Sequence, residues 1–155
     1  MDIRQAGDRD IQAVARLQLK LMEEHVQAGD HYLAIAPGAS GKWVRYIKKM
    51  LRQGKSILLV AEDNEKIVGY IFGYIKDGPP IFREKCAGYI SDMYVLPTLR
   101  KRGVGQQLLH QALDFFRAAG LEACELHASV WNAGALEFYR RLGFKDVMVK
   151  LRCGL

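Results

Sequence analysis

A short basic loop, Arg100-Lys101-Arg102-Gly103-Val104-Gly105, contains the residue types that point most directly to chemistry. Its glycines let the backbone approach a ligand closely, and a helix that begins here would present unpaired N–H groups at its positive end. Backbone donors combined with cationic side chains suit a phosphorylated ligand. The same residues also fit a tight strand-to-helix turn whose charges are simply solvated.

Two familiar phosphate-binding motifs do not match this loop. A dinucleotide loop has a third glycine where Leu108 stands, and a P-loop ends in G-K-S/T. The tripeptide Gly41-Lys42-Trp43 does not provide that ending either. The loop therefore indicates an anion site without identifying the anion.

The loop lies between a predicted strand and a predicted helix. Residues 89–95 form the strand, which Pro97 ends, and apolar residues recur at helical spacing from Val104 to Phe116 before Gly120 closes the helix. Further strands are predicted at residues 2–6, 56–62, 66–76, 122–130 and 144–153, and further helices at residues 8–29, 40–55 and 133–142. This order of elements is typical of an α/β domain.

The composition predicts one globular domain, residues 1–155. Hydrophobic residues make up 50% of the 155 and charged residues 26%, which excludes disorder and a coiled coil. The net charge of +6 favours anionic partners. The three cysteines form no C-x-x-C pair, and we find neither a signal peptide nor an apolar segment of membrane length. We therefore expect a cytoplasmic protein without a membrane partner.

The basic loop and the strand before it resemble the acetyl-CoA signature of the GNAT superfamily of N-acetyltransferases. In that signature the pattern R/Q-x-x-G-x-G/A follows a strand, here Asp92-Met93-Tyr94-Val95-Leu96-Pro97, and Arg100, Gly103 and Gly105 match it. A second element of the family, N-x-x-A-x-x-F/L-Y-x-x-x-G-F, is similar to the segment from Asn132 to Phe144. Both matches occur in the expected order.

The resemblance implies an α/β domain of the α+β type with the GNAT fold. Its central sheet would be mixed, mostly antiparallel and splayed between the fourth and fifth strands, with about four flanking helices. Only residues 145–155 follow Gly143-Phe144, so the two closing strands usual in the family must be abbreviated or merged. The C-terminal edge, and any homodimer built on it, is left open.

The resemblance also implies which residues bind acetyl-CoA as cosubstrate. Backbone groups of Met93 and Val95 would hydrogen-bond the pantetheine arm as an added strand does. Arg100 and Arg102 would add charge beside the pyrophosphate. Asn132 would cap the following helix and contact the cofactor. The N–H groups that would hold the pyrophosphate are those of Lys101, Arg102, Gly103, Val104, Gly105 and Gln106.

Two residues are expected to carry the acetyl transfer. In the family, the phenol at the position of Tyr139 protonates or hydrogen-bonds the departing CoA thiolate, although the residue also fits a core aromatic position. An amine resembling lysine, with a pKa of about 10.4, must lose a proton before it attacks. Asp92 is the first candidate for the base, although strand alternation could equally turn it to solvent or into a salt bridge. Because the amine attacks directly, no cysteine is assigned as a nucleophile.

The sequence says least about the amine acceptor. Residues 23–36, which include Glu23, Glu24 and His25, lie where relatives shape the acceptor pocket. Tyr70, Phe72 and Tyr74 share one face of a strand and either line a pocket or pack under a helix. A polyamine, an aminoglycoside-like antibiotic, an amino acid and a protein amine all remain candidates.

Two other functions compete with catalysis. A protein of the same fold could bind an acyl-CoA as a sensor without turnover, but the presence of Tyr139 argues against this. Residues 40–55 carry lysines and arginines without an intervening acid, which would suit a nucleic-acid-binding module. Aromatic residues are not interleaved on that basic face, so nucleic acid is the less favoured partner.

Overall fold

The computed structural model describes residues 1–155 and contains five strands and four α-helices. None of the helices combines the length and apolar character that crossing a membrane requires. The strands are β1 (Asp2–Gln5), β2 (Ser56–Asp63), β3 (Lys66–Asp77), β4 (Cys86–Val95) and β5 (Cys124–Leu126). The helices are α1 (Ile11–Gln27), α2 (Ala39–Arg52), α3 (Val104–Ala118) and α4 (Ala133–Arg141).

The strands form one sheet in the order β1-β2-β3-β4-β5. The first four pair antiparallel, and β5 pairs parallel to β4. The turn between β2 and β3 holds Asn64 and Glu65 at φ of 47° and 61°, the left-handed conformation that two-residue hairpins use. The mixed, mostly antiparallel sheet with four helices confirms the predicted fold class.

Each face of the sheet packs against its own helices because the side chains of a strand alternate between the two faces. On one face, Leu108, Leu109 and Phe116 of α3 pack against β2, β3 and β4. On the other face, residues of α1 and α2, including Val14 and Ile47, cover the opposite sides of the same strands. The sheet is therefore buried on both sides along its middle.

A β-bulge in β4 changes which face its residues occupy. Phe72 pairs with Asp92 and Gly73 pairs with Ile90, so Ser91 is an extra residue on β4. Ile90 packs in the core beneath α3, whereas Tyr94 packs in the core beneath α1 and α2. Asp92 lies opposite Phe72 on the face of Tyr94. Without the bulge, strict alternation would direct Asp92 and Ile90 to the same face.

The end of the sheet differs from the sequence prediction. The strand predicted at residues 122–130 is β5 alone, because Ser129 and Trp131 donate hydrogen bonds to Asp30 and draw the chain away from β4. The strand predicted at residues 144–153 is absent, and side chains such as Val147 remain 86% exposed. An alternating pattern shows that a segment can pleat, but a strand also needs a neighbouring edge to accept its hydrogen bonds.

Gly88, where β4 meets β5, tests the packing that positions this end of the sheet. A Cβ at Gly88 would lie 2.5 Å from Cδ2 of the buried Phe116 ring. We expect Gly88→Ala to lower the free energy of unfolding by about 1 to 3 kcal/mol through overpacking, measured from urea-unfolding curves. Gly41→Ala is the matched control, because its Cβ meets only the mobile end of Arg45 at 3.6 Å. It should stabilise α2 by up to about 1 kcal/mol; equal effects of the two substitutions would contradict the packing argument.

Candidate active site

The turn that leads into α3 presents a row of free backbone donors. Lys101 and Gly103 adopt left-handed conformations, with φ of 62° and 81°. The first hydrogen bond of α3 runs from the N–H of Gln107 to the carbonyl of Gly103, at 3.0 Å. The six N–H groups of residues 101–106 therefore have no acceptor within the chain. Together with the positive end of the helix dipole, they form a concavity whose donors suit an anion.

The three basic side chains of this turn are not equivalent. Arg100 donates from Nε to the carbonyl of Val95 at 2.9 Å, and its Nη2 contacts both carboxylate oxygens of Glu24 at 2.8 and 2.9 Å. The hydroxyl of Tyr94 also donates to Glu24, at 2.8 Å, and burial together with this carboxylate raises the pKa of Tyr94 to about 12. The charge of Arg100 is therefore paired with Glu24 on α1. Lys101 and Arg102 are exposed and form no ion pair, so they remain available to an anion.

The sheet opens beside this turn. β5 pairs only with Gly88, Tyr89 and Ile90, so the later residues of β4 have no strand on that side. The N–H of Leu96 donates a hydrogen bond to the carbonyl of Val68 on β3. Because only every second residue of β4 bonds to β3, the backbone groups of Met93 and Val95 point the other way, toward the opening. The carbonyl of Val95 is taken by Arg100. The remaining groups are free to pair with an extended ligand.

Three elements that the sequence motifs singled out meet at this opening. A Cβ on Gly105 would lie 3.6 Å from the ring of Phe138 on α4 and 3.7 Å from Cε of Met93 on β4. The absence of a side chain at Gly105 thus leaves a narrow space between α3, α4 and β4. The predicted cap of α4 is confirmed, since the side chain of Asn132 accepts a hydrogen bond from the N–H of Ala135 at 3.0 Å.

Tyr139 lies on the α3 side of the sheet, next in sequence to Phe138. Its ring packs edge-on against Phe138 and Phe144, with centroids 5.1 and 5.6 Å apart. Burial, with Cys124 nearby, raises the pKa of Tyr139 well above its usual value, so the hydroxyl stays protonated at neutral pH. Burial likewise raises the pKa of Cys124 to about 11. The α3 side of the sheet therefore holds a neutral phenol and a neutral thiol.

Asp92 lies on the opposite face of the sheet, beneath α1 and α2. It forms no ion pair, and burial raises its pKa from 3.8 to about 6, although the side chains of Trp43 and Ser91 and the charge of His25 act in the opposite direction. A carboxyl group with this pKa is ionised at neutral pH and can also hold a proton, as a general base must. The structure thus separates the two predicted catalytic residues, an acid and a base, onto opposite faces.

A second polar cluster was not predicted from the sequence. Oδ2 of Asp30 accepts hydrogen bonds from Ser129 Oγ at 2.7 Å and Trp131 Nε1 at 2.8 Å, and lies 2.9 Å from His25 Nδ1. Burial acts to raise the pKa of Asp30, but these three partners outweigh it and lower the pKa. The cluster joins the end of α1 to the segment after β5. No local pattern reveals it, because about one hundred residues separate its two halves.

Comparison with known proteins gives a family match over most of the chain. Residues 19–144 match the model of the Acetyltransferase (GNAT) family. An uncharacterized N-acetyltransferase of Methanocaldococcus jannaschii is 34% identical over 106 residues, which cover 68% of this chain and 46% of that relative. The N-acetyltransferase YhfO of Bacillus subtilis, also uncharacterized, is 29% identical over 149 residues, which cover 94% of this chain and 91% of YhfO.

A solved structure agrees over the full length. A tetramutant of the BH1408 protein from Bacillus halodurans superposes with a TM-score of 0.86 at 27% sequence identity, covering 100% of both chains. The chain therefore spans about half of the archaeal relative and nearly all of the two Bacillus proteins.

The raised pKa of Asp92 predicts that Asp92→Asn stabilises the protein at neutral pH. The pKa of Asp92 is about 6 in the folded protein and 3.8 ordinarily. The stabilising contribution of protonated Asp92 is therefore complete below about pH 4 and is lost as the pH rises through 6. Asp92→Asn should therefore add about 1 to 3 kcal/mol to the free energy of unfolding at pH 7 and almost nothing near pH 3.5, measured by urea unfolding at both values.

Asp146→Asn is the control for this test. Asp146 is exposed and pairs with Arg140, which lowers its pKa, so its removal should not stabilise the protein at either pH. If the gain in the free energy of unfolding from Asp92→Asn is equal at both pH values, or absent at pH 7, the carboxylate of Asp92 does not have the raised pKa assigned to it.

Proposed function

Because the chain belongs to the acetyltransferase (GNAT) family, whose cosubstrate is acetyl-CoA, we propose that it transfers the acetyl group directly to a primary amine. The observation that carries this proposal is the opening of the sheet beside a row of free backbone donors. The opening offers hydrogen bonds to an extended arm, and the turn of residues 101–106 offers N–H groups to a diphosphate. Acetyl-CoA contains both of these groups.

Different residues at the opening would bind different parts of acetyl-CoA. We assign the pyrophosphate to the N–H groups of residues 101–106, with Lys101 and Arg102 supplying the free positive charge. The backbones of Met93 and Val95 would pair with the pantetheine arm as an added strand. Arg100 would act indirectly, because its contacts with Glu24 and Val95 fix the end of β4 and the start of the turn. Asn132 would contact the cosubstrate from the start of α4 while its Oδ1 caps that helix.

Asp92 would act as the base of the reaction and Tyr139 as the hydrogen-bond donor, from opposite faces of the sheet. The ionised carboxylate of Asp92 would accept the proton that the amine loses as it attacks. An N–H group at the opening, from Met93 or Val95, would donate to the carbonyl oxygen on which negative charge develops. The phenol of Tyr139 would donate a hydrogen bond to the sulfur as the carbon–sulfur bond breaks. Its raised pKa supports this donor role.

A direct transfer agrees with the state of the cysteines. A covalent route through cysteine would need a thiolate, and Cys124 is the cysteine that acts on the pKa of Tyr139. Burial raises its pKa to about 11, so it is a neutral thiol at physiological pH. We therefore propose attack by the amine without an acyl-enzyme.

The turn before α3 can be tested by a change at Gly103. A β-branched residue at a φ of 81° is strained, and its side chain would occupy the anion concavity. We expect Gly103→Val to abolish CoA binding measured by calorimetry, and Arg102→Gln to weaken it by about tenfold, the effect of one charge-assisted hydrogen bond. Gly54→Val is the matched control, because Gly54 has a φ of 70° but precedes β2. Retained CoA affinity in Gly103→Val would exclude the turn as the diphosphate site.

The role of Tyr139 can be separated from cosubstrate binding. Tyr139→Phe removes only the hydroxyl and keeps the aromatic packing with Phe138 and Phe144. We expect kcat to fall by about 100-fold, the lower range for a positioned acid, while the affinity for acetyl-CoA changes less than about twofold. Steady-state release of the CoA thiol and calorimetry provide the two values. An unchanged kcat would show that the phenol is a packing residue only.

A further inference from the structure

Aromatic rings cluster on the face of the sheet that carries Asp92. Tyr46 and Trp43 of α2 pack edge-on against Phe72 and Tyr70 of β3, each at 6.3 Å between centroids. The row continues from Phe72 to Tyr74 at 6.0 Å and from Tyr74 to Tyr89 at 5.4 Å. We call the six residues Trp43, Tyr46, Tyr70, Phe72, Tyr74 and Tyr89 the aromatic wall.

Asp92 is the acid at the centre of this wall, and Glu125, which pairs with Tyr89 across β4 and β5, is an exposed acid at its far end. Asp92 pairs with Phe72 across β3 and β4, and Tyr70 and Tyr74 lie two residues on either side of Phe72 on the same face. No lysine, arginine or histidine forms an ion pair with it. The hydroxyl of Tyr70 is fully buried here and has no hydrogen-bond partner. A carboxylate without a counter-ion and a hydroxyl without a partner are both groups that a bound ligand would satisfy.

The charges around the wall limit how many cationic groups a ligand can carry. Glu24 is neutralised by Arg100, and Asp30 already accepts three hydrogen bonds. Helix α2 contains no acid and five basic residues: Lys42, Arg45, Lys48, Lys49 and Arg52. At the far end of the wall, the ammonium of Lys76 lies 5.1 Å from the centre of the Tyr89 ring. Glu125, opposite Tyr89, lies at this same end, where Lys76 already places a cation. The centre of the wall thus offers one carboxylate, Asp92, to an ammonium group.

We propose, building on the acetyl transfer proposed above, that the acceptor is a primary amine with a single ammonium group on an apolar or aromatic body. The ammonium binds at Asp92, and the body lies against Tyr46 and Tyr74, where cation–π and stacking contacts are available. A polyamine or an aminoglycoside brings several cations to a wall whose centre has one carboxylate without an ion pair. The wall therefore selects against these two classes.

A comparison of three amines with the intact protein tests the proposal. Phenethylamine represents the proposed class, and spermidine and kanamycin represent polycationic acceptors. We expect kcat/KM for phenethylamine, from release of the CoA thiol, to exceed that for either polycation by at least about tenfold, which corresponds to about 1.4 kcal/mol. A preference for spermidine or kanamycin would overturn the proposal, and so would the absence of turnover with all three amines.

Substitution of the wall provides a second test. Tyr46 is 44% exposed, so Tyr46→Leu keeps an apolar side chain in a position that tolerates change. We expect kcat/KM for phenethylamine to fall about fivefold, the size of one cation–π contact, with KM for acetyl-CoA unchanged. Phe82→Leu, an exposed aromatic residue in the loop before β4, is the matched control and should have no effect. If Tyr46→Leu behaves like the control, the wall does not bind the acceptor.

CoA calorimetry distinguishes failure of this proposal from failure of the acetyl transfer itself. If CoA binds and spermidine is the better acceptor, acetyl transfer stands and only the acceptor class is wrong. If CoA does not bind to the folded protein, both proposals fall.

Discussion

The end of pairing along β4 is the constraint on which the rest of the site depends. β5 pairs with β4 only as far as Ile90, and the segment after β5 then leaves the edge of the sheet. Buried backbone N–H and C=O groups are costly to leave without partners, so the unpaired groups of Met93 and Val95 favour an extended ligand in the opening. In the proposed acetyl transfer, the shortness of β5 leaves this part of β4 free to pair with a ligand instead of a further strand.

Long-range polar contacts hold the two sides of this opening. Arg100 connects the end of β4 to Glu24 on α1, and Asp30 connects the end of α1 to the segment that follows β5. Both connections meet at the second half of α1, the part of the chain that carries the acids Glu23 and Glu24. The turn before α3 and the segment after β5 are thus connected through one helix, and Arg100 forms part of this connection.

The bulge at Ser91 determines which face of the sheet carries Asp92. By inserting one residue, it directs Asp92 into the aromatic wall beneath α1 and α2, whereas Met93 contacts the α3 side near Tyr139. Burial without a counter-ion raises the pKa of one carboxyl group, and burial among rings keeps one phenol protonated. Both shifts come from the low polarity of the two cores. Burying such groups lowers the stability of the folded protein, which is a common cost in active sites.

Local patterns in the sequence were sufficient for the order of the elements from β1 to α4, the family and the glycine turn before α3, because helix periodicity, glycine conformations and capping depend on neighbouring residues. Asn132 is an example, since its cap lies three residues away. The ion pair of Arg100 with Glu24, the cluster around Asp30, the face of Asp92 and the loss of the last predicted strand depend on contacts between distant segments. Only the tertiary structure decided these features, since no local pattern specifies which buried surfaces and sheet edges come together.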